Sequence, residues 1–193
     1  MDYEKAIDYI LTRLRQELPS KLKYHSPEHT LSVIEAARQL GELHGISDQE
    51  LGLLLTAAAY HDSGFLTGYK NHEEESCKIA GEFLPGFGFE NDHIEIIKGM
   101  IRATRIPQKP ETLLEKIICD ADLEYLGGDN YDSISSRLHE ELSLNGIELD
   151  EDEWLDMQIG FLESHNYWTE FSLNRLSTKK TNVLERLKSR RAS

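Results

Sequence analysis

Cysteine is scarce in this sequence, with two in 193 residues, and Cys77 and Cys119 stand apart in apolar helical stretches. That count weighs against a disulfide framework, and both thiols read as buried side chains. No uninterrupted apolar segment approaches the roughly 20 residues needed to cross a bilayer, and the N-terminal MDYEKAIDYILTRL lacks a basic stretch followed by an apolar run. The expectation is a cytoplasmic protein with no membrane partner. Basic residues are also in deficit: 21 Lys and Arg face 35 Asp and Glu, giving a formal charge of −14. The resulting negative field repels nucleic acid, so none is expected as a partner, and it attracts cations. An anionic substrate would need a metal or a few placed basic side chains to approach. Strand-like alternation, internal repeats, low-complexity tracts and long linkers are missing as well.

What is present is helical periodicity almost throughout, in a chain whose length suits one domain over residues 1–193. Tyr3, Ile7, Ile10, Leu11, Leu14 and Leu18 form a first apolar stripe that Pro19 ends. A second helix starts at Ser26-Pro27, a serine cap followed by a proline that loses nothing at the first helical position, and runs to His44-Gly45. Ser47 and Glu50 have capping-box spacing and open a strongly apolar helix that ends at His61-Asp62, before Ser63-Gly64. Asn71 to Leu84 and Asp92 to Thr104 carry the same punctuation. Pro110 opens a segment in which Leu114, Ile118, Ala121, Asp122 and Tyr125 share a face up to Gly127-Gly128. Tyr131 to Leu144, Asp150 to His165 and Thr178 to Arg190 complete an all-α chain of about eight to nine helices.

Four polar groups stand where an apolar face would ordinarily carry Leu or Ala: His29, His61, Asp62 and Asp122. Burying such groups without partners costs on the order of several kcal/mol each, whereas one shared cation would satisfy them together. Imidazole and carboxylate form the mixed donor set that suits Mn, Fe, Zn, Ni or Co, with Mg also compatible. A lone histidine near an apolar face is more often a hydrogen-bonded core residue, so His29 alone says little. The adjacent pair His61-Asp62 says more, since two ionisable neighbours at the end of TAAAY fit neither core nor ordinary surface.

The segments YHSPEHT, LTAAAYHDSGF and ICDADLEYLGG, spanning Tyr24 to Gly128, follow an order of histidine, His-Asp doublet and distant aspartate. In this the sequence resembles the HD-domain superfamily of metal-dependent phosphohydrolases. The resemblance implies an all-helical HD-type bundle, with the helices of residues 131–193 packing on the matching core. It implies that His29, His61, Asp62 and a downstream aspartate hold a divalent cation. Asp120 and Asp122 both remain candidates for the last ligand. Asp122 is preferred because it matches the family's Ala-Asp pattern, and Asp120 could instead orient a bound histidine or water.

The resemblance extends to neighbouring residues. His25 lies four before His29, as in the YHxxxH segment of cyclic-nucleotide phosphodiesterases, and is the candidate general acid. His72 stands where several HD subfamilies supply a ligand for a second ion, although Thr104 occupies the position at which those subfamilies place another histidine. Glu73 and Glu74 are candidates for holding a water or a ligand, or complement the helix dipole in its first turn. Arg105 is a candidate phosphate contact. The expected activity is hydrolysis of a phosphate ester, whether a nucleotide, a cyclic nucleotide or a small phosphomonoester, by water activated at one or two ions. Two other readings stay open: a di-iron oxygenase of the HD type, and a metal- or nucleotide-binding sensor without turnover.

Overall fold

The computed structural model describes residues 1–192, which hold nine α-helices and no strand. In chain order these are α1 (Tyr3–Glu17), α2 (Pro27–Leu43), α3 (Asp48–Tyr60), α4 (His72–Phe83), α5 (Asn91–Ala103), α6 (Leu113–Asp122), α7 (Tyr131–Leu144), α8 (Glu151–Ser164) and α9 (Glu170–Arg191). Short 3-10 turns follow three of them, at Ser63–Leu66, Leu84–Phe87 and Glu124–Gly127. No helix among the described residues is long and apolar enough to cross a membrane.

The chain divides into two compact units. The first comprises Met1–Pro19 and His25–Asp122; the second comprises residues 20–24 and those from Leu123 onward. Every residue singled out above as a ligand, proton donor or phosphate contact belongs to the first unit. At its centre is α3, whose residues from Gly52 to Tyr60 are all buried, as expected of a helix apolar on every side. It packs against α1, α2, α5 and α6. The Tyr60 hydroxyl donates to the Ala6 carbonyl at 3.2 Å and so finds a partner within this core.

Helix starts follow the predicted chemistry. The Ser26 hydroxyl accepts from the His29 N–H, and Ser47 and Asp150 each close a capping box with the glutamate three residues on. Both cysteines are buried, with Sγ directed to the Lys98 and Ala103 carbonyls respectively, and burial pushes the Cys77 thiol up to about 11.

Two helix limits differ from the sequence reading. The periodicity of α6 suggests a helix that runs through Tyr125, but it ends at Asp122 and the chain tightens into the 3-10 turn Glu124–Gly127. In the second unit α9 begins at Glu170, eight residues before Thr178. The reason is local: the Thr169 hydroxyl accepts from the Ser172 N–H at 3.2 Å and starts the helix, while Leu176 packs so closely on Gly127 that a side chain there would meet its backbone. Leu123, Leu126, Tyr131, Leu155, Leu162 and Leu187 form the apolar core of this unit.

Candidate metal centre

Three helix ends bring the candidate ligands together. His29 sits in the first turn of α2, His61 and Asp62 follow the last residue of α3, and Asp122 is the last residue of α6. Among the described residues, His29, His61 and Asp122 each present one donor atom within 4.8 Å of the other two. His29 Nε2 lies 3.1 Å from Asp122 Oδ1, and His61 Nε2 lies 3.6 Å from the same oxygen. Asp62 Oδ2 adds a fourth donor, 3.1 Å from His61 Nε2 and 3.5 Å from His29 Nε2. Donors around one ion at bonds of about 2.1 Å stand about 3.0–3.4 Å apart in octahedral or tetrahedral arrangement. Two of the observed separations, at 3.1 Å, fall within that spacing, and the other two, at 3.5 and 3.6 Å, lie just beyond it.

His61 is prepared for this role by its own helix. Its Nδ1 is 2.8 Å from the Ala58 carbonyl; since a carbonyl can only accept, Nδ1 carries the hydrogen and Nε2 faces the cluster with its lone pair when the ring is neutral. His61 Nε2 and Asp62 Oδ2 are both buried, and neither has a well-formed hydrogen bond. Buried polar atoms normally have partners, and two orphans at one point are what a missing shared cation would leave. The donor set therefore fits a divalent ion.

Electrostatics reinforce that fit. Burial pushes the Asp62 carboxyl up, but the imidazoles of His61, His25 and His29 outweigh it and hold the group well below the usual carboxylate range. Burial likewise opposes ionisation of Asp122, and hydrogen bonding with His29 and His61 overcomes it. His61 experiences the converse: burial lowers its pKa, while Asp62 and Asp122 raise it well above the ordinary value. Two ionised carboxylates thus face imidazole nitrogens in a space largely closed to water.

The remaining candidates are distributed around this group. His25 stands beside it, its ring centroid 6.2 Å from that of His29 and 5.8 Å from that of His72. His72, the first residue of α4, places Nε2 at 3.5 Å from Asp62 Oδ1 and 3.7 Å from Glu73 Oε1. Burial lowers the His72 pKa, against the opposing pull of Asp62 and Glu73. Asp120 is fully buried on α6 but is not one of the three clustered donors. Thr104 ends α5 with its hydroxyl donating to the Ile101 carbonyl at 2.8 Å. Arg105 is half-exposed and ion-paired with Glu73 and Glu74. It also lines a cavity of about 540 Å³ with Arg102, Lys109 and Glu115, and none of His29, His61, Asp62 and Asp122 lines that cavity.

Two contributors carry no metal-ligand signature in the sequence. Phe65 is buried between His25 and His72, and Ser76 is fully buried beneath the doublet. The Ser76 hydroxyl donates to the His61 carbonyl at 2.6 Å and accepts from the Gly64 N–H at 2.7 Å. This joins the turn after α3 to the helix that bears His72. Gly64 lies so close to α4 that an added Cβ would collide with the His72 carbonyl oxygen. Gly64→Ala must therefore push the turn off α4; we expect a loss of about 1–3 kcal/mol in chemical denaturation together with weaker cation binding. An unchanged midpoint would contradict this close packing.

Comparison with known proteins bears on the same residues. The family described as HD domain matches residues 28–124, a span that contains His29, His61, Asp62, His72 and Asp122. Among solved structures, a predicted HD superfamily hydrolase from an uncultured Thermotogales bacterium is similar at 22% identity with a TM-score of 0.65, over 96% of this chain and 91% of that one. At that identity the likeness concerns the all-helical fold. Comparison with curated proteins gives no match.

Proposed function

This chain belongs to the HD domain family, and from that premise we propose that it hydrolyses a small phosphate ester using a divalent cation held by His29, His61, Asp62 and Asp122. The observation that supports the reading is the pair of buried, unsatisfied donors, His61 Nε2 and Asp62 Oδ2, beside the group in which His29, His61 and Asp122 gather one donor atom each. Mn, Fe, Ni, Co and Zn suit this nitrogen and oxygen set, and Mg is compatible. When bound, such an ion supplies Lewis acidity toward phosphoryl oxygens and brings the ionisation of water into the neutral range.

The protein's own groups provide the rest. His29 and His61 hold the centre through ring nitrogens, the latter oriented by Ala58, and the two carboxylates balance a double positive charge where water is scarce. His25, whose ring lies beside that of His29, is the proposed donor of a proton to the departing oxygen. Asp62 turns Oδ2 to His29 and His61 and Oδ1 to His72, so one carboxylate can serve a second ion with His72. Arg105 reaches a phosphate only by leaving Glu73 and Glu74, which makes it a secondary contact. The charge of −14 disfavours nucleic acid and is consistent with a small phosphorylated substrate drawn in by the cation.

A panel of nucleotides, cyclic nucleotides and generic phosphate esters, with Mn, Mg, Ni, Co or Fe added, tests the proposal. Turnover of at least one member that depends on the added ion is expected. Tight nucleotide binding with no product from any member would identify a sensor instead. An iron pair that consumes oxygen would identify an oxygenase.

A further inference from the structure

The 3-10 turn after the His61-Asp62 doublet sets one apolar ring among the histidines. Phe65 stacks on His72, with centroids 4.1 Å apart and planes at 18°, and lies 4.3 Å from His25 at 32°. The two imidazoles are 5.8 Å from each other, so each is nearer to the phenyl ring than to its fellow. Tyr69 adds an edge contact to Phe65 at 5.4 Å. Contacts of this kind set ring direction as well as burying area.

Neither histidine is stiffened by a helix interior. His25 precedes the Ser26 cap, and His72 opens α4 directly after Asn71, whose φ is +55°. Phe65 is tied to the backbone around it. Its N–H donates to the Asp62 carbonyl at 3.1 Å, and the adjoining Gly64 and His61 are bridged by the Ser76 hydroxyl. The ring is thereby referenced to the backbone of the doublet itself.

We infer that Phe65 is a positioning residue, which fixes His25 and His72 at set distances and angles beside the His29, His61 and Asp122 group. The catalytic consequence rests on the hydrolase reading above; the placement of the two rings does not. A proton donor or ligand displaced by about 1 Å can cost on the order of 100-fold in rate, so an apolar ring in contact with both imidazoles has a direct bearing on turnover.

The test combines NMR of the labelled full-length protein with kinetics. In the wild type, NOEs are expected from the Phe65 ring protons to carbon-bound ring protons of both His25 and His72. Phe65→Leu, which fills the space without a ring, should move both histidines' resonances downfield and leave those of His61 in place, whereas Phe65→Tyr should retain the wild-type pattern. With Mn²⁺ and p-nitrophenyl phosphate or its bis ester, Phe65→Leu should lower kcat about 10- to 100-fold. KM should stay within about threefold, as for a group that acts through the transition state rather than uniform binding, and Phe65→Tyr should keep most of the activity. Absent NOEs to either histidine, unmoved histidine signals in Phe65→Leu, an unchanged kcat, or an equal loss in Phe65→Tyr would each overturn the inference. Should Phe65→Leu not fold, the wild-type NOEs and Phe65→Tyr decide. Should the wild type turn over neither ester, the kinetic consequence falls with the hydrolase reading, and the spectra alone uphold or overturn the placement of the rings.

Discussion

Asp62→Ala should lose hydrolysis by at least about 10³-fold in kcat/KM, since the Lewis acidity of a held cation contributes several kcal/mol to such reactions. The carboxylate makes contacts that no neighbour can replace. One oxygen faces His29 and His61, and the other faces His72. Removing it also leaves Asp122 as the sole carboxylate among the four proposed ligands, so a dipositive ion would keep an unbalanced buried charge. Metal content measured after purification should fall in parallel, while helical circular dichroism stays that of the wild type. Two companion variants sharpen the outcome. Asp122→Asn should lose the ion as Asp62→Ala does, whereas Asp120→Asn should retain it, because Asp122 and not Asp120 belongs to the donor group with His29 and His61. Full activity in Asp62→Ala would place the chemistry elsewhere in the molecule.

The second large effect is expected from removing the ion and from acid. Chelation should abolish turnover, and back-titration with Mn, Co, Ni, Fe or Zn should restore it. An ion present at about 100 times its Kd would stabilise the folded chain by about 2.7 kcal/mol, which a thermal melt resolves. The pH dependence has a definite sign. Burial lowers the His61 pKa, but Asp62 and Asp122 raise it well above the ordinary value, so the empty site holds a proton that a cation must displace. Affinity should therefore rise with pH until His61 is neutral on its own, and weaken by about tenfold per unit below that point for each proton displaced. Calorimetric titration between pH 6 and 8 would measure it. Binding that is independent of pH over this range would show that no proton is displaced from His61 there.

Legibility in the sequence followed the range of the forces involved. Ser26-Pro27 and Ser47 with Glu50 announce helix starts because capping acts across three or four residues. The His61-Asp62 doublet stood out for the same reason, at the end of an unbroken apolar helix. Asp122 could be favoured over Asp120 by helical phase, yet its place at the very end of α6 was hidden, since the 3-10 turn that follows continues the apolar spacing for one more turn. Phe65 and Ser76 left no mark at all. A buried phenylalanine and a buried serine are ordinary in sequence, and their meaning comes from His25, forty residues earlier, and from contacts between α4 and the turn after α3. The pairing of Arg105, just after α5, with Glu73 and Glu74 of α4 joins residues far apart in the chain and leaves no mark in the sequence.

The bond from His61 Nδ1 to the Ala58 carbonyl has a kinetic implication. The last carbonyls of a helix lack intrahelical partners, so the ring that terminates α3 is immobilised as the helix forms. Its rotational freedom is lost during folding, before any ion arrives. A cation would then meet one ligand already set, so that only His29, Asp62 and Asp122 would have to be ordered around it, and His61 could not swing aside without opening the end of its own helix.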